Sequence, residues 1–195
     1  AGYTIDGKLD EAGWSASVPL TYGYDDGVEV SVKTLFGEKG VYIGVHVDDY
    51  KIYGNDARDK FYNSSIELYM DRTGAERSAR TMEYFHDVIG QTQRLVAATE
   101  GWLQVYKPIF GSVKVDGEIN SGAAEGATWE VFVRWDAFGY DYLADDFEIP
   151  ASIGIMPAYN RSEGPSASDK REQWCAASGW NGRPDTFYTF GANGY

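Results

Sequence analysis

The sequence predicts an all-β fold: an antiparallel β-sandwich, jelly-roll-like, forming a single domain over residues 1–195. Three observations carry this. Apolar and polar side chains alternate in about ten short runs at regular spacing, the pattern of strands that bury one face. No run has the sustained period of an amphipathic helix. The length suits one undivided sandwich, and neither an internal repeat nor a linker-like stretch interrupts it.

Thr4–Trp14 (TIDGKLDEAGW) reads as a short strand, an Asp-Gly turn and one helical turn, with Asp10 placed to cap that turn's free amides. Leu9 and Trp14 are expected to pack onto the sheet. Val28–Phe36 (VEVSVKTLF) puts Val28, Val30, Val32 and Thr34 on one side, and Val41–Val47 (VYIGVHV) turns Val41, Ile43, Val45 and Val47 inward. A tight turn at Glu38-Lys39-Gly40 joins the two into a hairpin. His46 falls on the outward parity with Tyr42 and Gly44. Asp48 and Asp49 close the strand, and the loop after it carries Asp56 and Asp59. Clustered carboxylates supply the oxygen donors that calcium takes, although their spacing matches no EF-hand loop. Structural calcium is the one cofactor expectation they raise, with its ligands unassigned.

Ser64–Asp71 (SSIELYMD) alternates most strictly. Ile66, Leu68 and Met70 share one parity, while Ser65, Glu67, Tyr69 and Asp71 share the other, so one face is buried and the other is wet or lines something. The polar, aromatic loop Asp56–Asn63 (DARDKFYN) brings Phe61 and Tyr62 to its start. This strand is expected to floor a binding surface, with Glu67 pointing up from it.

Thr81–Ile89 and Thr92–Ala98 form a second hairpin about Gly90-Gln91, and Trp102–Tyr106 and Ser112–Glu118 continue the meander. Residues 119–126 are a loop by composition. Thr128–Trp135 (TWEVFVRW) alternates strongly and ends in a turn at Asp136–Gly139. Ala151–Tyr159 is the next strand, and Pro157 within it predicts an edge or a bulge. The tail, Asn160–Tyr195, is rich in Ser, Gly, Asp and Arg and holds Trp174, Trp180, Phe187, Tyr188 and Phe190.

Composition narrows the function. Seventeen basic and thirty acidic side chains leave a net charge of −13, the wrong sign for a nucleic-acid binder. No apolar run is long enough to span a membrane. The opening residues lack the charged-then-apolar pattern of an export leader, so any such leader has been removed or was never in this sequence. One cysteine, Cys175, permits no internal disulfide and is expected to be a buried structural thiol. Glycoside cleavage needs two carboxylates across a cleft, and Glu67, Glu83 and Asp87 lie on neighbouring strands, but so do many carboxylates here. A nucleophile elbow and a phosphate loop are both absent, so no enzyme is expected. Fifteen Tyr, nine Phe and six Trp are a surplus beyond what a core requires, and aromatic faces suit the C–H faces of sugar rings.

The order of motifs carries a resemblance. IDGKLDEAGW, KTLFGEKGVYIGVHVDD and SSIELYMD resemble, in series, the opening of carbohydrate-binding module family 9 and its wider group of sugar-binding domains. That group begins with IDG-x-hydrophobic-D-E-x-x-W, follows with a strand of the type lyvgv-x-v-x-D, and then has S-V-E, three hydrophobic residues and D. ATWEVFVRWDAFG is similar to its W-x-V-E-hydrophobic-x-I-P-W-x-x-L-G segment, with VRW in place of IPW, and RPDTFYTFG to its closing P-x-x-F-G. The matches run from Ile5 to about Phe190.

The resemblance implies a sandwich that often carries calcium, and an extracellular, secreted setting as an appendage to a polysaccharide-degrading catalytic domain. Its partner would be an oligosaccharide or polysaccharide, whose terminal sugar the family stacks between two aromatic rings. Local alignment puts the first ring at Phe61, where the family has Trp, and the sugar-contacting Glu at Glu67. The second ring most resembles Trp180, in the loop SGWNGRPD, with Trp174 as the competing assignment. Asn160 falls near a polar site position, and Arg183 would orient a sugar hydroxyl or tie its loop down. The family's Arg is replaced around Tyr84–His86, which brings Tyr84 into the candidate set, and its Gln looks like Ala158. Two other classes stand beside this one. A haem-binding redox domain of related fold would use Met82, Met156 and His86. A structural or adhesive sandwich would have no small-molecule site and would bury Trp180.

Overall fold

The computed structural model describes residues 3–23, 27–166, 169, 171–176 and 184–195. Alternation in the sequence becomes two antiparallel sheets. One has five strands in the order β1 (Leu20–Gly23), β2 (Glu29–Gly37), β3 (Gly40–Asp48), β9 (Gly126–Arg134) and β8 (Ile109–Asp116). The other runs β11 (Arg171–Cys175), β10 (Ser152–Ser162), β4 (Ser65–Arg72), β5 (Met82–Asp87), β6 (Thr92–Ala97) and β7 (Trp102–Gln104), with β12 (Tyr188–Gly191) also paired to β10.

The inner faces meet in an apolar layer. Val41, Ile43, Val45 and Val47 of β3, with Trp129, Val131 and Val133 of β9, face Ile66, Leu68 and Met70 of β4 and Ile153 and Ile155 of β10. Those of β3, β4 and β9 have the parity expected of them, and each fully buried aliphatic side chain contributes roughly 1.5–3 kcal/mol. One charged pair lies at the margin of this layer. Arg161 donates to Asp49 at 3.0 Å, and the Tyr159 phenol donates to the other Asp49 oxygen at 3.0 Å. Both partners of the ion pair are buried, so removing either one would strand a charge, at a cost of about 3–5 kcal/mol.

The N-terminal segment lies over the outer face of the five-stranded sheet. Leu9 occupies the space that a side chain at Gly44 would need. Asp6 N–H donates to Glu130 Oε2 at 3.0 Å, which gives that buried carboxyl a role. A one-turn 3-10 helix follows over Ala12–Ala16 and buries Trp14. Its N-cap is Glu11, one residue later than the expected Asp10, and no side chain caps it. The Glu11 carboxylate instead accepts from Thr4 N–H at 3.0 Å and from the Trp14 indole at 3.2 Å. Thr4 is not in a strand.

Three further features differ from expectation. β1 and the tail strands β11 and β12 are short segments without clear alternation. β7 and β8 do not continue one meander, because β7 edges the seven-stranded sheet and β8 edges the five-stranded one. Pro157 is neither on an edge strand nor at a bulge: it is in register with Leu68 of β4, at the gap where β10 changes partner from β12 to β11. Its carbonyl accepts from Ala176 N–H at 3.1 Å, so its backbone faces that gap and the absent N–H interrupts no ladder.

Candidate functional site

Among the described residues, the outer face of the seven-stranded sheet has no second sheet against it, yet most of it is buried and much of it is polar. Cross-strand register arranges it in rows. Asn160, Ser65 and Asp87 form the first, and Ala158, Glu67, Phe85 and Gln93 the second. Met156, Tyr69, Glu83, Leu95 and Gln104 form the third. Asp71 and Thr81, joined by a 2.6 Å hydrogen bond, lead the fourth, which ends with Ala97 and Trp102 of β7. Polar groups out of water must be hydrogen-bonded or stand ready for a ligand.

Glu67 is held from two sides. Its Oε2 accepts from the Tyr69 phenol at 2.6 Å, and its Oε1 accepts from Asn160 Nδ2 at 2.8 Å, which also reaches Ser65 Oγ at 3.1 Å. Charge-assisted bonds of this length fix the carboxylate's orientation. Glu67 and Asn160, both candidates for the site, are therefore joined on one face, across the β4–β10 boundary.

Phe61 stands above the second row. It lies in the one-turn 3-10 helix Lys60–Tyr62, whose N-cap Asp59 accepts from Phe61 N–H at 3.3 Å. The half-buried Phe61 ring meets Phe85 edge-on at 4.7 Å. Arg58 holds this loop in place. Its buried guanidinium donates to the carbonyls of Gly164 and Ser166 and to Ser162 Oγ at 2.8–2.9 Å, and also to the carbonyl of Tyr62.

Glu83 differs from Glu67. It is 4% exposed and makes no hydrogen bond among the described residues. Burial, reinforced by the neighbouring Glu67 charge, pushes its pKa up to about 8, so it is a neutral acid at pH 7. Tyr69 and Trp102 stand close by, their rings 5.7 Å apart at 51°. The Arg77 guanidinium lies 5.5 Å from the Trp102 ring and donates to the carbonyls of Ala98 and Gly101.

Several expected residues fall elsewhere. Tyr84 is corrected outright: it points into the sandwich interior, fully buried, because the outer parity on β5 belongs to Glu83, Phe85 and Asp87. Trp174 is in β11, in register with Tyr159. Trp180 and Arg183 lie outside the described residues. His46 faces outward as expected and bonds Thr128 Oγ1 at 2.8 Å.

The groups named for haem do not converge. His86 shares the inner parity of β5 with Met82, four residues along the strand, while Met156 lies on the opposite face of the sheet. The Tyr84 phenol lies 3.2 Å from His86 Nδ1, and burial lowers the imidazole's pKa to about 4. The carboxylates named for calcium have the following surroundings. Asp49 is engaged by Arg161 and Tyr159, Asp59 caps a helix and Asp56 is exposed. Among the described residues, no three His, Cys, Asp or Glu side chains are grouped to hold a metal ion.

Sequence reasoning weighed Glu83 only as one of several acids and placed no role on Trp102. Counting parity along Met82–Asp87 would have put Glu83 on the Glu67 face. Nothing local marks Trp102, because its relation to Tyr69 spans three strand boundaries.

No protein-family model matches the chain, and no curated protein does so significantly. Solved structures do. A family 9 carbohydrate-binding module from Caldicellulosiruptor kristjanssonii, in complex with cellotriose, superposes with a TM-score of 0.70 at 12% identity, covering 100% of this chain and 91% of that one. The family 9 structure from the same organism in complex with glucose gives 0.66 at 14% identity, covering 100% and 93%. A Bacteroides uniformis protein provisionally assigned a carbohydrate-binding role gives 0.58 at 11% identity, over 89% and 84%. The fold is therefore that of family 9 carbohydrate-binding modules.

Proposed function

We propose that this protein is a non-catalytic carbohydrate-binding module that holds the terminal sugar of a glycan against an aromatic side chain, as part of a secreted glycan-degrading protein. The observation that carries this is Glu67, clamped by Tyr69 and Asn160 on a buried polar sheet face beneath Phe61. A sugar requires fixed partners for its hydroxyls and a flat apolar partner for its C–H face, and these residues supply both kinds. The fold shared with modules solved with cellotriose and glucose supports the same ligand class here. Attachment to a catalytic domain and an extracellular location rest on the sequence resemblance and on the setting usual for such modules.

The test is calorimetric titration with glucose, cellobiose, cellotriose and their reduced-end derivatives, on the native protein and on Glu67→Gln. Binding that Glu67→Gln weakens at least tenfold, about 1.4 kcal/mol, supports the proposal. The absence of heat with every plant or microbial glycan tried overturns it.

A further inference from the structure

We propose that the free edge of β8 is a docking site for one extended polypeptide segment of a partner, which adds to the five-stranded sheet as a sixth strand. The segment is neutral and has small apolar side chains at alternate positions. This site lies away from the face that carries Glu67 and does not depend on the function proposed above.

The two sheets differ in width. β8 lies over β5, since a Cβ at Gly111 would meet Tyr84 Oη and come within 3.0 Å of His86 Nδ1. The five-stranded sheet ends there, while β6 and β7 carry the other sheet two strands further. Thr92, Arg94 and Val96 share the inward parity of β6, and Leu103 of β7, in register with Val96, is 59% exposed. Together they form a shelf with no strand above it among the described residues. Hollows of about 390, 320 and 550 Å³ lie along it.

β8 is the back wall of this shelf. Its register with β9 is unbroken over Ile109–Asp116, and Arg134 N–H donates to the Pro108 carbonyl at 3.1 Å. That bond sets the phase of the ladder. The backbone groups of Phe110, Ser112 and Lys114 turn toward β9, and those of Gly111, Val113 and Val115 turn to the free edge. Among the described residues, the N–H and C=O groups of Gly111, Val113 and Val115 have no partner. The carbonyl of Ile109 is already closed off by Arg94, which donates to it at 2.6 and 2.8 Å. Proteins usually blunt such an edge with a short strand, a Pro, a bulge or an unpaired charge. β7 has only three residues. β8 has eight, contains no Pro, and pairs its one lysine, Lys114, with Asp116 at 2.9 Å.

The overhang decides what fits. β6 and β7 leave the breadth of two strands, roughly 9–10 Å. A second copy pairing β8 with β8 about a two-fold axis would bring its own β5 and β6 into the layer that β6 and β7 already fill. One extended segment fits where a whole sandwich does not. No Asp or Glu lines the three hollows, although the chain carries a net charge of −13. An apolar strand therefore desolvates no carboxylate there. Alternate side chains of the added strand would drop beside Thr92 and the half-buried Val113, into the hollow next to His86 and Val88. Main-chain bonds to the edge supply affinity, and the hollow supplies selectivity.

The experiment pans a phage-displayed library of short random peptides on the native protein and synthesises the enriched sequences. These are expected to alternate small apolar residues and to bind Val113→Pro about tenfold more weakly by calorimetry. Proline there removes an outward N–H and no bond to β9, so the fold is expected to survive, as a thermal melt checks. Should Val113→Pro fail to fold, Thr92→Arg, which fills the hollow from a half-buried position, takes its place. Hydrogen exchange reads the geometry. The amides of Gly111, Val113 and Val115 should exchange rapidly in the free protein and slow at least about tenfold with peptide, while those of Phe110, Ser112 and Lys114 are slow throughout. Glu67→Gln should bind the peptides as the native protein does, which separates this edge from the sugar face.

A library that yields no enriched sequence overturns the proposal. So do peptides that bind the edge variants as tightly as the native protein and leave the three amides exchanging. Sedimentation showing a native dimer that Val113→Pro dissolves would put a second copy on the edge and overturn the single segment.

Discussion

The Tyr69 phenol donates to Glu67 Oε2 at 2.6 Å from the same face of the same strand, two residues along. A tyrosine that could have been apolar cover thus becomes the second anchor of the candidate acid, with Asn160 as the first. Tyr69→Phe keeps the ring against Trp102 and deletes one donor. It is expected to weaken glucose binding by roughly tenfold, because Glu67 loses one of its two anchors, and to lower the unfolding free energy by about 1–3 kcal/mol, because a buried carboxylate loses a donor. Calorimetry and a thermal melt of the same sample check both halves.

Phe61 separates binding from stability. Its half-buried ring contacts Phe85 from a surface helical turn outside the central core. Phe61→Ala is expected to cost less stability than a core Phe→Ala, which loses about 3–5 kcal/mol, and to abolish measurable monosaccharide binding. Denaturant unfolding beside a glucose titration reads it. A variant that binds normally would remove Phe61 from the site.

Stability should fall as pH rises from 6.5 to 8, because two buried acids hold protons that the unfolded chain has released. Glu83 titrates at about 8 and Glu130 at about 7 in the folded protein, against an ordinary 4.5, both mainly through burial. Their native states are favoured fully below pH 4.5, and this contribution is lost as pH rises through 7 and 8. His86, lowered to about 4 by burial, acts oppositely: it lets stability rise between pH 4 and 6.5 and is constant above. From pH 6.5 to 8 the two acids should therefore dominate. Urea midpoints measured at pH 5, 6.5 and 8 are expected to decline over the upper interval, and less steeply in Glu83→Gln. Parallel curves for the two proteins would contradict the assignment.

The N-terminal segment is expected to depend on Gly7. Its φ of +82° is disfavoured for other residues, and a Cβ there would lie 2.7 Å from Lys114 N. Gly7→Ala should destabilise by about 1–3 kcal/mol and loosen the Asp6–Glu130 contact. Faster hydrogen exchange at the amides of residues 6 and 7, together with a lower melting temperature, would show it.

Much of the architecture was legible in the sequence because burial on one face writes itself as a two-residue period. The inner sets on β3, β4 and β9 follow from parity alone, and so does the outward position of Glu67. What alternation does not report is partnership. Nothing in Trp102–Tyr106 and Ser112–Glu118 states that the chain changes sheets between them. Pro157 predicts an edge or a bulge only until one knows that β10 changes partners at that residue.

The candidate site divides in the same way. Residue types and the resemblance were enough to single out Phe61, Glu67 and Asn160. Tyr84 was misplaced because a shift of one residue along a strand turns every side chain to the other face, and an approximate alignment cannot resolve a single position. Glu67 was determined locally, by alternation within eight residues. Its bond to Asn160, the burial of Glu83 beside it and the approach of Trp102 to Tyr69 were decided only when four strands distant in sequence came into register, because hydrogen bonds and desolvation depend on separation in space.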